Sequence, residues 1–399
     1  MLQKTLYAMM KHPLLLLALL VATLPACHRP DPLTRNLSKY AENEFPDGCV
    51  YRAGSPYEVL PLPADDRDAE LRNIVLMIGD GMGLEQLSAA LVANRGALNM
   101  VQMPCTGISR TYSADRLVTD SGAAGTALAT GHKTRNYTIG VDTAGHALPS
   151  LTDIARASGR RTGITVVCRL NDATPAAFCC HHTDRDAAEQ IAAQYPDCGV
   201  DYIAGGGRKY WCNRTDGRDI LAEMADKGYH VYETTDALAA AEALPVVAVV
   251  DTLEMPVAAL RGDAFRNMVR KAIGLLDGEQ GFFLMVEGSC IDDWCHANRL
   301  DKAIEETLDF DRTVGDVLRW AAHDGHTLVV VTADHATGGM TLLDGDLHDG
   351  EVKVGFSSTG HNGICVPVFA YGPGADRFVG MYENCELSRK IAERLGARR

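Results

Sequence analysis

A chain of 399 residues with 46% apolar and 23% charged residues can bury a large core, which argues against wholesale disorder. Its formal net charge of −14 argues against a nucleic-acid-binding surface, because phosphate backbones demand basic patches. The same charge makes any phosphate-handling role difficult unless metal ions supply positive charge locally.

The first segment reads as a leader. Lys4, Lys11 and His12 precede the apolar run LLLLALLVATL, and LPAC follows. The run falls short of the roughly 20 residues that span a membrane and suits a signal peptide over residues 1–27. LPAC resembles the bacterial lipobox, so Cys27 is expected to carry lipid and to hold an exported, periplasmic protein at a membrane. Ordinary signal cleavage is the alternative. Residues 28–71, rich in Pro, Asp and Arg, read as a tether and irregular lead-in, and residues 72–399 as a single domain.

From there the pattern changes. NIVLMIG, RTGITVVC, GFFLMVEG, HTLVVVTA and VPVFAYG have the length and β-branched content of buried strands. Helical patterns lie between them, over 83–94, 121–130, 150–158, 185–194, 263–277 and about 299–323. Alternation of the two predicts a three-layer α/β/α sandwich around a mostly parallel sheet. The segment at about 205–262 has weaker periodicity and is expected to carry small peripheral strands and loops. Twelve cysteines suit an exported chain. Cys198 and Cys212 flank a Gly-rich turn where a disulfide would close a short loop, while buried thiols are an equally open reading.

Polar clusters fall where such strands end, the usual place for a site in an α/β sheet. IGDGMG carries Asp80, EGSCIDDWCH carries Glu287, Asp292 and His296, ADHATGG carries Asp334 and His335, and STGHNG, just before the last strand, carries His361. Each alone reads as a turn, cap or surface pair. Together, four carboxylates and three histidines offer zinc-type and magnesium-type ligands, too many for one zinc. In VTDSGAAGTALATG (118–131), Ser121 follows Asp120 at a helix start. Two readings stand: helix capping, or a nucleophile held where unpaired N–H groups favour an anion.

From about Asn73 onward the chain resembles the alkaline phosphatase family. DSGAAGTALATG is similar to its nucleophile segment, and NDATPAAF followed by Arg185 to its magnesium and phosphate-clamp segment. VEG with Asp292 and His296, TADH, and TGH complete the set in order. The resemblance implies Asp292, His296 and His361 on a first zinc, and Asp80, Asp334 and His335 on a second, near Ser121. It implies a magnesium held by Asp80, Thr174 and Glu287, and Arg185 forking two phosphate oxygens. Asp172 and Asp293 would stand behind these ligands in the same pocket. The implied reaction is hydrolysis of small phosphomonoesters through a covalent phosphoserine, with two zincs and one magnesium making the pocket net positive. A homodimer is one possible assembly.

Other members of the superfamily fit less well. The Cys-x-Pro-x-Arg nucleophile motif of sulfatases is absent, and phosphodiesterases of this fold lack the third metal site. A phosphodiesterase, or a non-catalytic phosphate-binding surface lipoprotein, remains the alternative. Only 26 positions separate His335 from His361, which leads us to expect an open cleft and a broad substrate range.

Overall fold

The computed structural model describes residues 45, 46 and 48–396. The leader, Cys27 and the tether up to residue 44 lie outside the described residues, as do 397–399. Ten strands form the central sheet, in the order β15-β3-β14-β9-β2-β8-β4-β5-β7-β6. In chain order they are β2 (Asn73–Gly79), β3 (Cys105–Arg110), β4 (Arg161–Arg169), β5 (Tyr202–Gly206), β6 (His230–Tyr232) and β7 (Val246–Val249). Then come β8 (Phe282–Gly288), β9 (Thr327–Thr332), β14 (Val366–Tyr371) and β15 (Gly380–Glu383). Only β14 runs against its neighbours, so the sheet is mostly parallel as expected.

Parallel strands need crossovers, and these cover both faces. Side chains of β2 alternate accordingly. Val75 and Met77 face the layer of α1 (Leu84–Ala93), α5 (Ala264–Leu276) and α7 (Leu300–Asp324). Ile74, Leu76 and Ile78 face that of α2 (Ser121–Thr130), α3 (Leu151–Ala157), α4 (Ala173–Ala177) and α8 (Asn384–Arg394). A three-layer sandwich results. A smaller antiparallel sheet of β1 (Val50–Arg52), β12 (Glu351–Phe356) and β11 (Met340–Asp346) joins the lead-in to the chain between His335 and His361. A two-residue ribbon, β10 (Ala336–Thr337) with β13 (His361–Asn362), ties His335 and His361 to one another.

Three features differ from the expectation or sharpen it. The segment around 205–262 supplies β6 and β7, which extend one edge of the central sheet. The helix expected over 185–194 is confined to Ala188–Ala192, because the Arg185 N–H donates to the Tyr137 carbonyl at 2.8 Å and holds Arg185 in a loop. The Cys198–Cys212 disulfide does not form, and every cysteine among the described residues is free. The Cys198 thiol meets Cys179 instead, and the Cys212 thiol meets Asp219.

Candidate active site

The C-terminal ends of β2, β4, β8 and β9 open onto one cleft, and α2 points its first turn at it. All ten residues of α2 are buried. Its small side chains have a packing cause: a Cβ at Gly125 would stand 3.1 Å from the Thr174 Cα of α4. Asp120 is the N-cap, its Oδ1 accepting from the Ala123 N–H at 3.0 Å. The cap is therefore supplied by the neighbour of Ser121, whose own hydroxyl turns into the site. Ser121 Oγ lies 3.2 Å from His335 Nε2.

His335 belongs to the trio Asp80, Asp334 and His335, all buried. Its Nε2 is 3.1 Å from Asp334 Oδ2 and 3.5 Å from Asp80 Oδ1, yet neither oxygen accepts a hydrogen bond. Burial, then the charges of Asp334, Asp292 and Glu287, push the Asp80 carboxyl well above the usual range. Burial and Asp292 push Asp334 up to about 6. Crowded, unpartnered acceptors of this kind require a cation.

Asp292, His296 and His361 form the second trio. These three lie on two short elements: α6 (Cys290–His296) spaces Asp292 and His296 one turn apart, and β13 begins at His361. His296 Nδ1 contacts the Thr359 carbonyl at 2.5 Å and His361 Nδ1 the Thr119 carbonyl at 2.9 Å. Carbonyls only accept, so each Nδ1 carries a proton, and each Nε2 turns toward Asp292, at 3.1 Å from its Oδ2 for His296 and 3.7 Å from its Oδ1 for His361. Those two Nε2 atoms face one another at 3.1 Å. With Asp292 they form a set of nitrogen and oxygen donors suited to a cation. Gly81 (φ +73°) passes close behind: a Cβ there would stand 2.8 Å from the Asp292 Cα.

A third group is built from oxygen alone. Thr174 Oγ1 is buried without a partner, and Glu287 is buried with its carboxyl raised well above the usual range by burial, Asp172 and Asp334. Its carboxylate takes a weak hydrogen bond from the Cys168 thiol at 3.5 Å and another from the Ser289 side chain.

Arg185 stands at the mouth, where NH1 donates to Asp120 Oδ2 at 3.0 Å and NH2 to Asp172 Oδ1 at 3.3 Å. Asp172 in turn accepts from Arg169 at 2.8 Å, and Arg169 pairs with Glu254 at 3.0 Å. Asp293 follows Asp292 on α6 and is exposed. The surrounding protein still crowds it, and that desolvation, with Asp292, Asp172 and Glu254, pushes its carboxyl up to about 6. The cleft itself is open, about 470 Å³, and Arg185, His296, His361, Val118 and Tyr137 line it.

Every residue singled out from the sequence thus lies at one end of the sheet. Arg169, Glu254 and the carbonyls of Thr119 and Thr359 were missed, as was the hold of Asp120 on Arg185 and Tyr137. The one available signal was local: Arg169 ends a strand three residues before Asp172, the spacing of a turn pair. Glu254 sits 85 positions away and left no trace.

A parallel α/β sheet that sets a serine hydroxyl and a guanidinium against two carboxylate–histidine trios defines a metal-assisted hydrolase. The alkaline phosphatase family model matches residues 71–352. Alkaline phosphatase 4 of Bacillus subtilis is 32% identical, the match covering 81% of this chain and 88% of that protein. Alkaline phosphatase of Escherichia coli is 30% identical, over 96% of this chain and 98% of that protein. The solved alkaline phosphatase from the Antarctic bacterium TAB5 superposes with a TM-score of 0.77 at 34% identity, covering 83% of this chain and 100% of that one. A variant of that enzyme has been solved with Mg bound in its M3 site. The chain belongs to the alkaline phosphatase family, and its activity is metal-assisted hydrolysis of phosphomonoesters through a phosphoserine.

Proposed function

We propose that Ser121 is the nucleophile, that Arg185 clamps the phosphate, and that the two trios hold zinc while Asp80, Thr174 and Glu287 hold magnesium. The observation that carries the reading is the Ser121 Oγ, 3.2 Å from His335 Nε2 at the edge of the buried Asp80–Asp334–His335 trio. Mixed nitrogen and oxygen donors suit zinc, and the all-oxygen group suits magnesium. Bound there, the ions supply Lewis-acid polarisation of phosphoryl and leaving oxygens and lower the pKa of a nearby hydroxyl.

The chain's own residues do the rest. Asp120 holds the first turn of α2, so that its free N–H groups and the Ser121 hydroxyl face the incoming anion. Ser121 Oγ gives up its proton to water and bonds to phosphorus as the ester P–O bond breaks; the alcohol oxygen departs on the opposite side, toward Asp292, His296 and His361, and takes a proton from water. Arg185 turns its fork from two carboxylates to two phosphoryl oxygens, and stays oriented through Asp120. Water then cleaves the phosphoserine and releases inorganic phosphate. Asp172 limits how far Arg185 travels, and Asp293 places a negative charge beside the leaving dianion.

We also infer export with an acyl anchor at Cys27, on the strength of the basic leader, the apolar run and LPAC. Among the described residues no helix is long and apolar enough to cross a membrane. A panel of phosphate mono- and diesters, assayed with and without EDTA, tests the site. Monoesters should be cleaved and chelation should abolish cleavage. Preference for diesters, or turnover that survives chelation in metal-free protein, overturns this assignment.

A further inference from the structure

Among the described residues three non-glycine positions have positive φ, and one of them, Tyr137 at +67°, lines the cleft. The left-handed region is a genuine outlier for a bulky residue and persists only where the surroundings impose it. Two bonds impose it here. The Tyr137 N–H donates to Asp120 Oδ2 at 3.0 Å, and its carbonyl accepts from the Arg185 N–H at 2.8 Å. The ring is therefore indexed to the same aspartate that caps the helix of Ser121 and orients Arg185.

The side chain so placed makes no hydrogen bond or ring contact with any described residue, and the residue is 59% exposed. It does not stand alone. Val118 lines the same cleft, Leu117 beside it is 76% exposed, and Ile364 is exposed on the strand-end loop that follows His361. Leu117 comes within 3.5 Å of the place a Cβ on Gly363 would occupy, which joins the two apolar segments into one lip. Solvent-facing apolar groups gathered at the mouth of an otherwise charged cleft mark a binding surface.

We propose that Tyr137, with Val118, Leu117 and Ile364, is a platform for the alcohol portion of the substrate, and that it favours monoesters whose leaving group is a flat aromatic ring. The proposal rests on the assignment of Ser121 as nucleophile. In-line displacement sends the leaving oxygen toward His296 and His361, and the organic group attached to it emerges into the cleft that Tyr137 and Val118 wall. A planar ring stacks on tyrosine, whereas a polyol leaves it in water, and such pairs contribute about three- to tenfold in affinity.

The test compares kcat/KM for phenyl phosphate and glycerol phosphate in the parent protein and in Tyr137→Asn, Tyr137→Gly and Tyr137→Phe. Asn and Gly both accept positive φ, so the loop keeps its shape while the ring is lost. The phenyl-to-glycerol ratio should fall about three- to tenfold in both, and Tyr137→Phe should retain the parent ratio. Inhibition by phenylphosphonate should weaken in step with that ratio. A ratio that stays at the parent value in Asn and Gly, whether both esters fall together or neither changes, overturns the platform. A parent protein that cleaves neither ester overturns the Ser121 assignment beneath it.

Discussion

Replacing Arg169 by glutamine should weaken phosphate binding through Arg185, two residues removed from the anion. Arg169 gives Asp172 the shorter of its two hydrogen bonds from arginine, 2.8 Å against 3.3 Å from Arg185, and pairs with Glu254 on its other edge. Without it, Asp172 turns both oxygens to Arg185 and holds the guanidinium away from phosphate. Two carboxylates also lose their shared counter-charge beside the dianion. A hydrogen bond to a charged group contributes about 1.5–3 kcal/mol. The Arg169 and Asp172 side chains are 30% and 26% exposed, so solvent screening lowers the effect to about 1–2 kcal/mol. That converts to roughly five- to thirtyfold. The assay is the competitive inhibition constant of inorganic phosphate, measured with KM and kcat on one monoester. The inhibition constant and KM should rise together by that factor while kcat falls less, since Ser121 and the two trios are untouched. Arg169→Lys, with charge but no fork, should fall between. An unchanged inhibition constant in Arg169→Gln with metals intact, or a loss confined to kcat, would refute the reasoning.

His335→Ala should remove nearly all turnover, whereas Glu287→Ala should keep part of it and lose the response to added magnesium; re-addition of zinc and magnesium to EDTA-treated protein reads both, and equal losses would argue against separate sites. Asp293→Lys should tighten inhibition by inorganic phosphate about five- to hundredfold, because a carboxylate opposing the dianion becomes a cation. It should also lower kcat if release limits turnover; no change in the constant places Asp293 outside the pocket. Cys27→Ser should abolish membrane association and globomycin-sensitive processing, and a soluble mature form beginning at another residue would favour ordinary cleavage.

Much of this was legible in the residues, for identifiable reasons. Strands buried on both faces write themselves as continuous apolar runs, so β2, β4, β8, β9 and β14 stood out. Strands toward the margins of the sheet do not. Cys105–Arg110, paired with β15 and β14, alternates buried and exposed positions, and β5 to β7 are short, so neither gave a clear signal. Metal-type ligands could be picked out because they cluster at the ends of those central strands, or, for His361, just ahead of β14. Arg185 was found, but its surroundings were drawn as helix, since nothing local announces that its N–H is taken by Tyr137. The Arg169–Glu254 pair depends on a contact between β4 and a loop far along the chain, which no local pattern encodes. Nothing in the sequence around Tyr137 sets it apart. Its positive φ follows from two tertiary hydrogen bonds.

The covalent role of Ser121 is the claim on which the rest depends, and one measurement reaches it directly. Protein turning over a phosphomonoester is quenched in acid, digested, and examined by mass spectrometry for phosphate on the peptide that contains Ser121. The account predicts phosphate on Ser121, and none on that peptide in Ser121→Ala, which should be inactive. Phosphate on a different residue, or full turnover in Ser121→Ala, would contradict it.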